Sequence, residues 1–205
     1  MRAKLLCPPM ILLLLLALAS CTAKGEAEAD QLALSVRDTY LAAESCTGNM
    51  MVKADYGKRV YEYGVHFTWK PNGEVSMTLT SPEEVEGITV GIAQGETCLE
   101  FDQVRLETGP LGEDGLSPMD GFPFLMRCLT EGYQAECSYE PLGDRETLRI
   151  ACRAPETAPS QGTEGVLWLD KETGALLRGE VRSQGETVIT CVVQEFDLSA
   201  GEPED

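Results

Sequence analysis

The feature that most constrains this chain is a side-chain period of two that starts at Tyr61. Tyr61, Tyr63, Val65, Phe67 and Trp69 are apolar, while Glu62, His66, Thr68 and Lys70 take the alternate positions. That spacing puts one face of an extended strand in a core and the other in water. Pro71-Asn72-Gly73 is turn chemistry, and Val75, Met77 and Leu79 then resume the alternation. The same pattern recurs through Ile88–Ile92, a run ending at Phe101, Val104–Leu106, Tyr133–Tyr139, Leu148–Cys152, Val166–Leu169, Ala175–Arg182 and Thr187–Leu198. Short runs separated by turn residues predict an antiparallel meander of about ten strands. Two helices are expected. The first follows Asp30, with Leu32, Val36, Tyr40 and Ala43 on one stripe, and stops at Thr47-Gly48-Asn49. The second is short and central, Phe122–Leu129.

An antiparallel sheet of that size must curl or be covered. The expected class is therefore mainly β (α+β). The two helices are the material to cover part of the sheet's apolar inner face.

The first twenty residues read as an address. Arg2 and Lys4 precede the apolar run Met10–Ala19, which is shorter than the roughly 20 residues a membrane span needs. Leu18-Ala19-Ser20-Cys21 resembles the lipobox of bacterial lipoproteins. That resemblance implies cleavage before Cys21 and a lipid on its sulfur, so the expected partner is a membrane held through a lipid anchor. The expected organisation is leader 1–20, tether 21–29, domain 30–198 and a loose tail 199–205. As a flexible chain the tether reaches roughly 15–18 Å. The expected location is the extracytoplasmic face of a cell membrane.

Composition removes whole classes of function. The net charge is −18, and losing Arg2 and Lys4 with the leader makes the mature chain more acidic still. Such a surface repels nucleic acid. No short catalytic or nucleotide-binding motif is present, and a single His leaves a zinc site without support. The expectation is a binding protein rather than an enzyme, without a cofactor. Beyond Cys7 and Cys21, six cysteines remain: Cys46, Cys98, Cys128, Cys137, Cys152 and Cys191. Disulfides and buried thiols are both open to them. Cys137 and Cys152 share the apolar face of neighbouring strands and are the candidate pair.

Three stretches in order resemble the LolA/LolB-like superfamily: Phe67–Pro82, Ile88–Phe101 and Trp168–Arg178, where Trp168-Leu169-Asp170-Lys171-Glu172-Thr173-Gly174 is similar to a recurrent strand–turn–strand of that family. The six cysteines depart from that family's pattern. The resemblance implies a single curved half-barrel of ten to eleven antiparallel strands, with the two helices over its concave face, and one of two roles. One is an anchored receptor for an apolar ligand such as a lipid or a lipoprotein acyl chain, lined by Tyr61, Tyr63, Phe67, Trp69, Met77 and Leu79. The other is an adaptor of the RseB or GerS germination-lipoprotein type, which binds an envelope protein such as an amidase. The same six side chains also suit a core beneath the helices. A short tether favours a stationary receptor or adaptor over a carrier that leaves the membrane.

Overall fold

The computed structural model describes residues 8–93, 96–109 and 116–200, with side chains from residue 25. Helix α1 spans Pro8–Ala42 and runs directly into strand β1, Ala43–Asp55. Strands β2 (Val60–Trp69), β3 (Val75–Ser81), β4 (Thr89–Ala93), β5 (Glu96–Phe101) and β6 (Val104–Gly109) step outward to one edge. Helix α2, Gly121–Thr130, lies on the crossing to the other edge. There β7 (Gln134–Leu142), β8 (Arg145–Cys152), β9 (Thr163–Asp170), β10 (Leu176–Ser183) and β11 (Glu186–Ala200) step back to the centre. The result is one antiparallel sheet of 11 strands, in the order β6-β5-β4-β3-β2-β1-β11-β10-β9-β8-β7. The meander expected from the alternation and the open, curved sheet implied by the resemblance are both present, with both helices.

Strand β1 is a correction. Thr47-Gly48-Asn49 is expected to stop the first helix, yet these residues lie in the longest ladder of the sheet. Cys46, Gly48, Met50, Val52 and Ala54 point inward, and Met50 faces Val65 while Cys46 faces Trp69. A β-bulge against β11 at Asn49/Met50 accommodates the irregular stretch. Gly48 is needed there, since a Cβ would stand 2.1 Å from the Glu195 carbonyl oxygen.

The ends also differ from expectation. The backbone of α1 already includes residues 21–29, expected as a flexible tether, and Asp30 lies inside the helix rather than at its start. Ala23, Lys24, Glu26, Ala27, Glu28 and Ala29 are good helix formers, which accounts for the extension. Ser199 and Ala200 pair with Ser45 and Ala43 instead of hanging loose. The Cys21 side chain, much of the leader and the last five residues lie outside the described residues. Among the described residues no helix is long and apolar enough to cross a membrane.

The core sits between the sheet's inner face and the helices. From α1 come Ala29, Ala33, Val36 and Tyr40; from α2 come Phe122, Leu125, Met126 and Leu129, all buried. Strands β9 and β10 make room for α2 with glycine. A Cβ on Gly165 would meet the Cys128 sulfur at 2.7 Å, and one on Gly179 would meet Leu125 Cδ1 at 2.4 Å. Arg37 joins the helices by donating from Nε to the Leu129 carbonyl (2.7 Å) and from Nη2 to the Gly132 carbonyl (2.6 Å). These carbonyls lie at or just beyond the C-terminal end of α2, where a cation is favoured. Tyr40 donates its hydroxyl to the Gly174 carbonyl, 3.0 Å away, and pins α1 to the β9–β10 turn.

Arg37→Ala should therefore lower unfolding stability by about 2 kcal/mol, the scale of charged hydrogen bonds to partly buried acceptors. Urea titration measures it, and an unchanged midpoint would show that α2 needs no tie to α1.

Candidate functional site

The six residues expected to line a ligand site share the inner face of β2 and β3, in register: Phe67 faces Met77 and Val65 faces Leu79. They divide into two groups. Phe67, Trp69, Met77 and Leu79 are buried. Phe67 packs on Phe122 of α2 with ring centroids 4.5 Å apart, and Trp69 lies 6.2 Å from Tyr40 of α1. These four belong to the buried core. Tyr61 and Tyr63 are half-buried, with nearly parallel rings 6.4 Å apart. Tyr56 meets Tyr61 edge-on at 6.1 Å and donates its hydroxyl to the Leu116 carbonyl at 2.7 Å.

The inner face beyond β3 is different. Val90 is buried, and Ile92 and Leu99 are half-buried. Phe101, Val104 and Leu106 are 54%, 69% and 60% exposed. By register Leu99 faces Leu106 and Phe101 faces Val104, so these residues form one apolar strip on the inner side of β5 and β6. The sequence shows their alternation but assigns them no role. The helices pack elsewhere, α1 on β7 and β8 and α2 on β9–β11.

The opposite face of the same strands holds a cavity of about 440 Å³. Gly91 floors it between Ser76 and Cys98, and a Cβ there would meet the Cys98 sulfur at 3.0 Å. Lys70, Glu74 and Arg105 contribute charge to its walls. Lys70 is spent on Glu74 at 2.9 Å, which holds that carboxyl below its ordinary range. His66 is also on this outer face, with Nδ1 3.0 Å from Asn49 Oδ1, as its place between apolar residues implied.

On the outer side of β8–β10 a carboxylate is buried between two guanidinium groups. Glu180 accepts from Arg178 (Nη2, 2.6 Å) through one oxygen and from Arg182 (Nη2, 2.6 Å) through the other. Trp168 lies beneath Arg149, Arg178 and Arg182, each about 6 Å from its ring. Burial pushes the Glu180 carboxyl up, but the hydrogen bonds and charges of Arg182 and Arg178 outweigh it and hold the group below its ordinary range.

All six described cysteines are free thiols, and all but Cys98 are buried. The Cys137–Cys152 pair is not bonded. Its register explains why: Cys137 faces Ile150 and Cys152 faces Gln134, with an irregularity between them, so the two are offset along the ladder. Cys152 instead hydrogen-bonds Cys128, whose carbonyl its thiol reaches at 3.3 Å. Burial pushes the Cys46 and Cys191 thiols up to about 12. Among the described residues no group of His, Cys, Asp or Glu is placed to hold a metal.

No family model matches the sequence, and no curated protein matches it either. Solved structures do resemble it. An uncharacterized conserved protein from Thermus thermophilus is 12% identical, covering 84% of this chain and 89% of its own, with a TM-score of 0.50. A putative outer membrane lipoprotein-sorting protein domain from Vibrio parahaemolyticus is 12% identical over 85% and 93%, at 0.46. A LolA superfamily protein from Nitrosomonas europaea is 11% identical over 84% and 94%, at 0.41. At these identities the likeness concerns fold and not function.

Two outcomes follow. Phe67→Ala should cost about 3–5 kcal/mol of stability, as for a large aromatic removed from a core; a loss near zero would return Phe67 to an open site. For Glu180, whose folded pKa is depressed, the stabilisation is complete above the ordinary carboxylate value, about 4.3. It is lost as pH falls through the lower folded value. Denaturation midpoints should drop on acidification below about pH 4, and Glu180→Gln should flatten that part of the profile.

Proposed function

We propose that the chain is a stationary, extracytoplasmic binding protein, held at a membrane by a lipid on Cys21, that takes an apolar ligand such as an acyl chain. The observation that carries this reading is the uncovered strip Phe101–Val104–Leu106. Exposed apolar area gathered on one face marks binding more often than chance. Tyr61 and Tyr63 offer half-buried rings on the same inner face, two strands beyond β4.

The anchor supports stationarity. As helix, the nine residues 21–29 rise about 13 Å at 1.5 Å per residue. The domain would thus work within a few nanometres of the bilayer. Two or more acyl chains on the anchor would make departure rare.

A second reading has its own support. Phe67, Trp69, Met77 and Leu79 are already buried, Phe67 on Phe122 of α2 and Trp69 beside Tyr40 of α1, so the open surface is shallow and external. A shallow strip suits an apolar segment of an envelope protein, and the acidic surface suits a basic one.

Replacing Cys21 with Ser should move the chain from the membrane to the soluble fraction of cells that export it. With that soluble form, a fluorescent fatty acid should bind, and Phe101→Glu should weaken it at least tenfold while leaving thermal stability unchanged. If the fatty acid does not bind, the ligand reading is wrong and the adaptor reading remains. Binding unaffected by Phe101→Glu would place the ligand elsewhere.

A further inference from the structure

The sheet is open, so it has two edge strands, and they are treated differently. The β7 edge is guarded. Helix α1 packs against it, Pro141 removes a backbone donor, and Glu136 and Glu140 are tied to Arg149 and Arg153 on β8 and beyond. These are ordinary protections against strand addition. The β6 edge, Val-Arg-Leu-Glu-Thr-Gly, carries no proline and no lysine. Its inner face shows Val104 and Leu106 to solvent. Its outer face carries Arg105 and Glu107, which join none of the described ion pairs.

The turn before β6 decides which backbone groups are free. Phe101 and Val104 close a two-residue hairpin loop, with Asp102 and Gln103 both at positive φ (47° and 67°). The residues flanking such a loop form a hydrogen-bonded pair, and bonded and non-bonded pairs alternate from there. Val104 and Leu106 therefore spend their backbone groups on β5. Arg105 and Glu107 aim theirs at the open edge.

We infer that β6 pairs with β6 of a second copy, antiparallel, with the two-fold axis at Leu106. In that register Arg105 lies directly opposite Glu107 of the second copy, and Glu107 opposite its Arg105. Both are the residues with free backbone groups, so the ladder and the charges agree. The register is unique. A shift to either side that keeps free backbone groups opposed sets Arg105 against Arg105 or Glu107 against Glu107, and like charges directly opposite are unfavourable. A self-complementary patch is what a two-fold interface requires. The pairing joins two sheets into one and brings the two Val104–Leu106 strips together across the axis. It stands independently of any ligand on that strip.

Sedimentation velocity on the full chain carrying Cys21→Ser tests the pairing. The expected result is a reversible dimer. Arg105→Glu and Glu107→Arg should each weaken it at least tenfold, with unchanged circular dichroism. The combined Arg105→Glu/Glu107→Arg chain should dimerise again, because opposite charges once more face each other. A parent chain that stays monomeric overturns the inference. So does a dimer indifferent to both single reversals, or a double variant no better than the singles.

Discussion

Coverage is the constraint on which the rest depends. Eleven strands present a wide inner face, and the buried sides of α1 and α2 cover part of it. They do so over β7–β11 and on β2, where Phe122 lies on Phe67 and Tyr40 beside Trp69. Cover fails at β5 and β6. The exposed strip on one side of the sheet and the sealed aromatic core on the other are therefore one fact seen twice. Apolar side chains that resemble each other in the sequence end up with opposite duties according to whether a helix reaches them.

The helices hold their places through few but specific contacts. Glycines at 165 and 179 let α2 approach the strands more closely than any Cβ would allow. Arg37 satisfies carbonyls at the end of α2 that would otherwise face a partly buried space unpaired. The buried thiols belong to the same packing. Cys128 and Cys152 touch where α2 meets β8, and at that site cysteine acts as a small apolar residue with a weak donor.

Much of the fold was legible because its main signal is local. The alternation in Tyr61–Trp69 and Val75–Leu79 specifies strand, face and turn within a few residues, and each survives in the register. Strand β1 was not legible. Thr47, Gly48 and Asn49 are turn residues by type, and only pairing with β2 and β11 on both sides holds them extended. For the site, the sequence identified which face is apolar but not which part of it is covered. Phe67 and Phe101 differ in exposure because of where α2 lies, and no local pattern encodes that. The cysteine pairing failed for a related reason: sharing a face is a property of period, whereas sharing a rung is a property of register.

The central pairing of β1 with β11 has a consequence for how the molecule is made. Asn49 of β1 hydrogen-bonds Glu195 of β11, 146 positions along the chain. The two hairpin series on either side are local and close small loops, whereas this seam closes the largest loop in the domain. Loop-closure entropy and high contact order make such a pairing slow and late. Until β11 arrives, β1 offers an unpaired edge in the middle of the future sheet. A chain emerging amino-end first must carry that exposed edge through synthesis, and completes this sheet only when β11 is delivered.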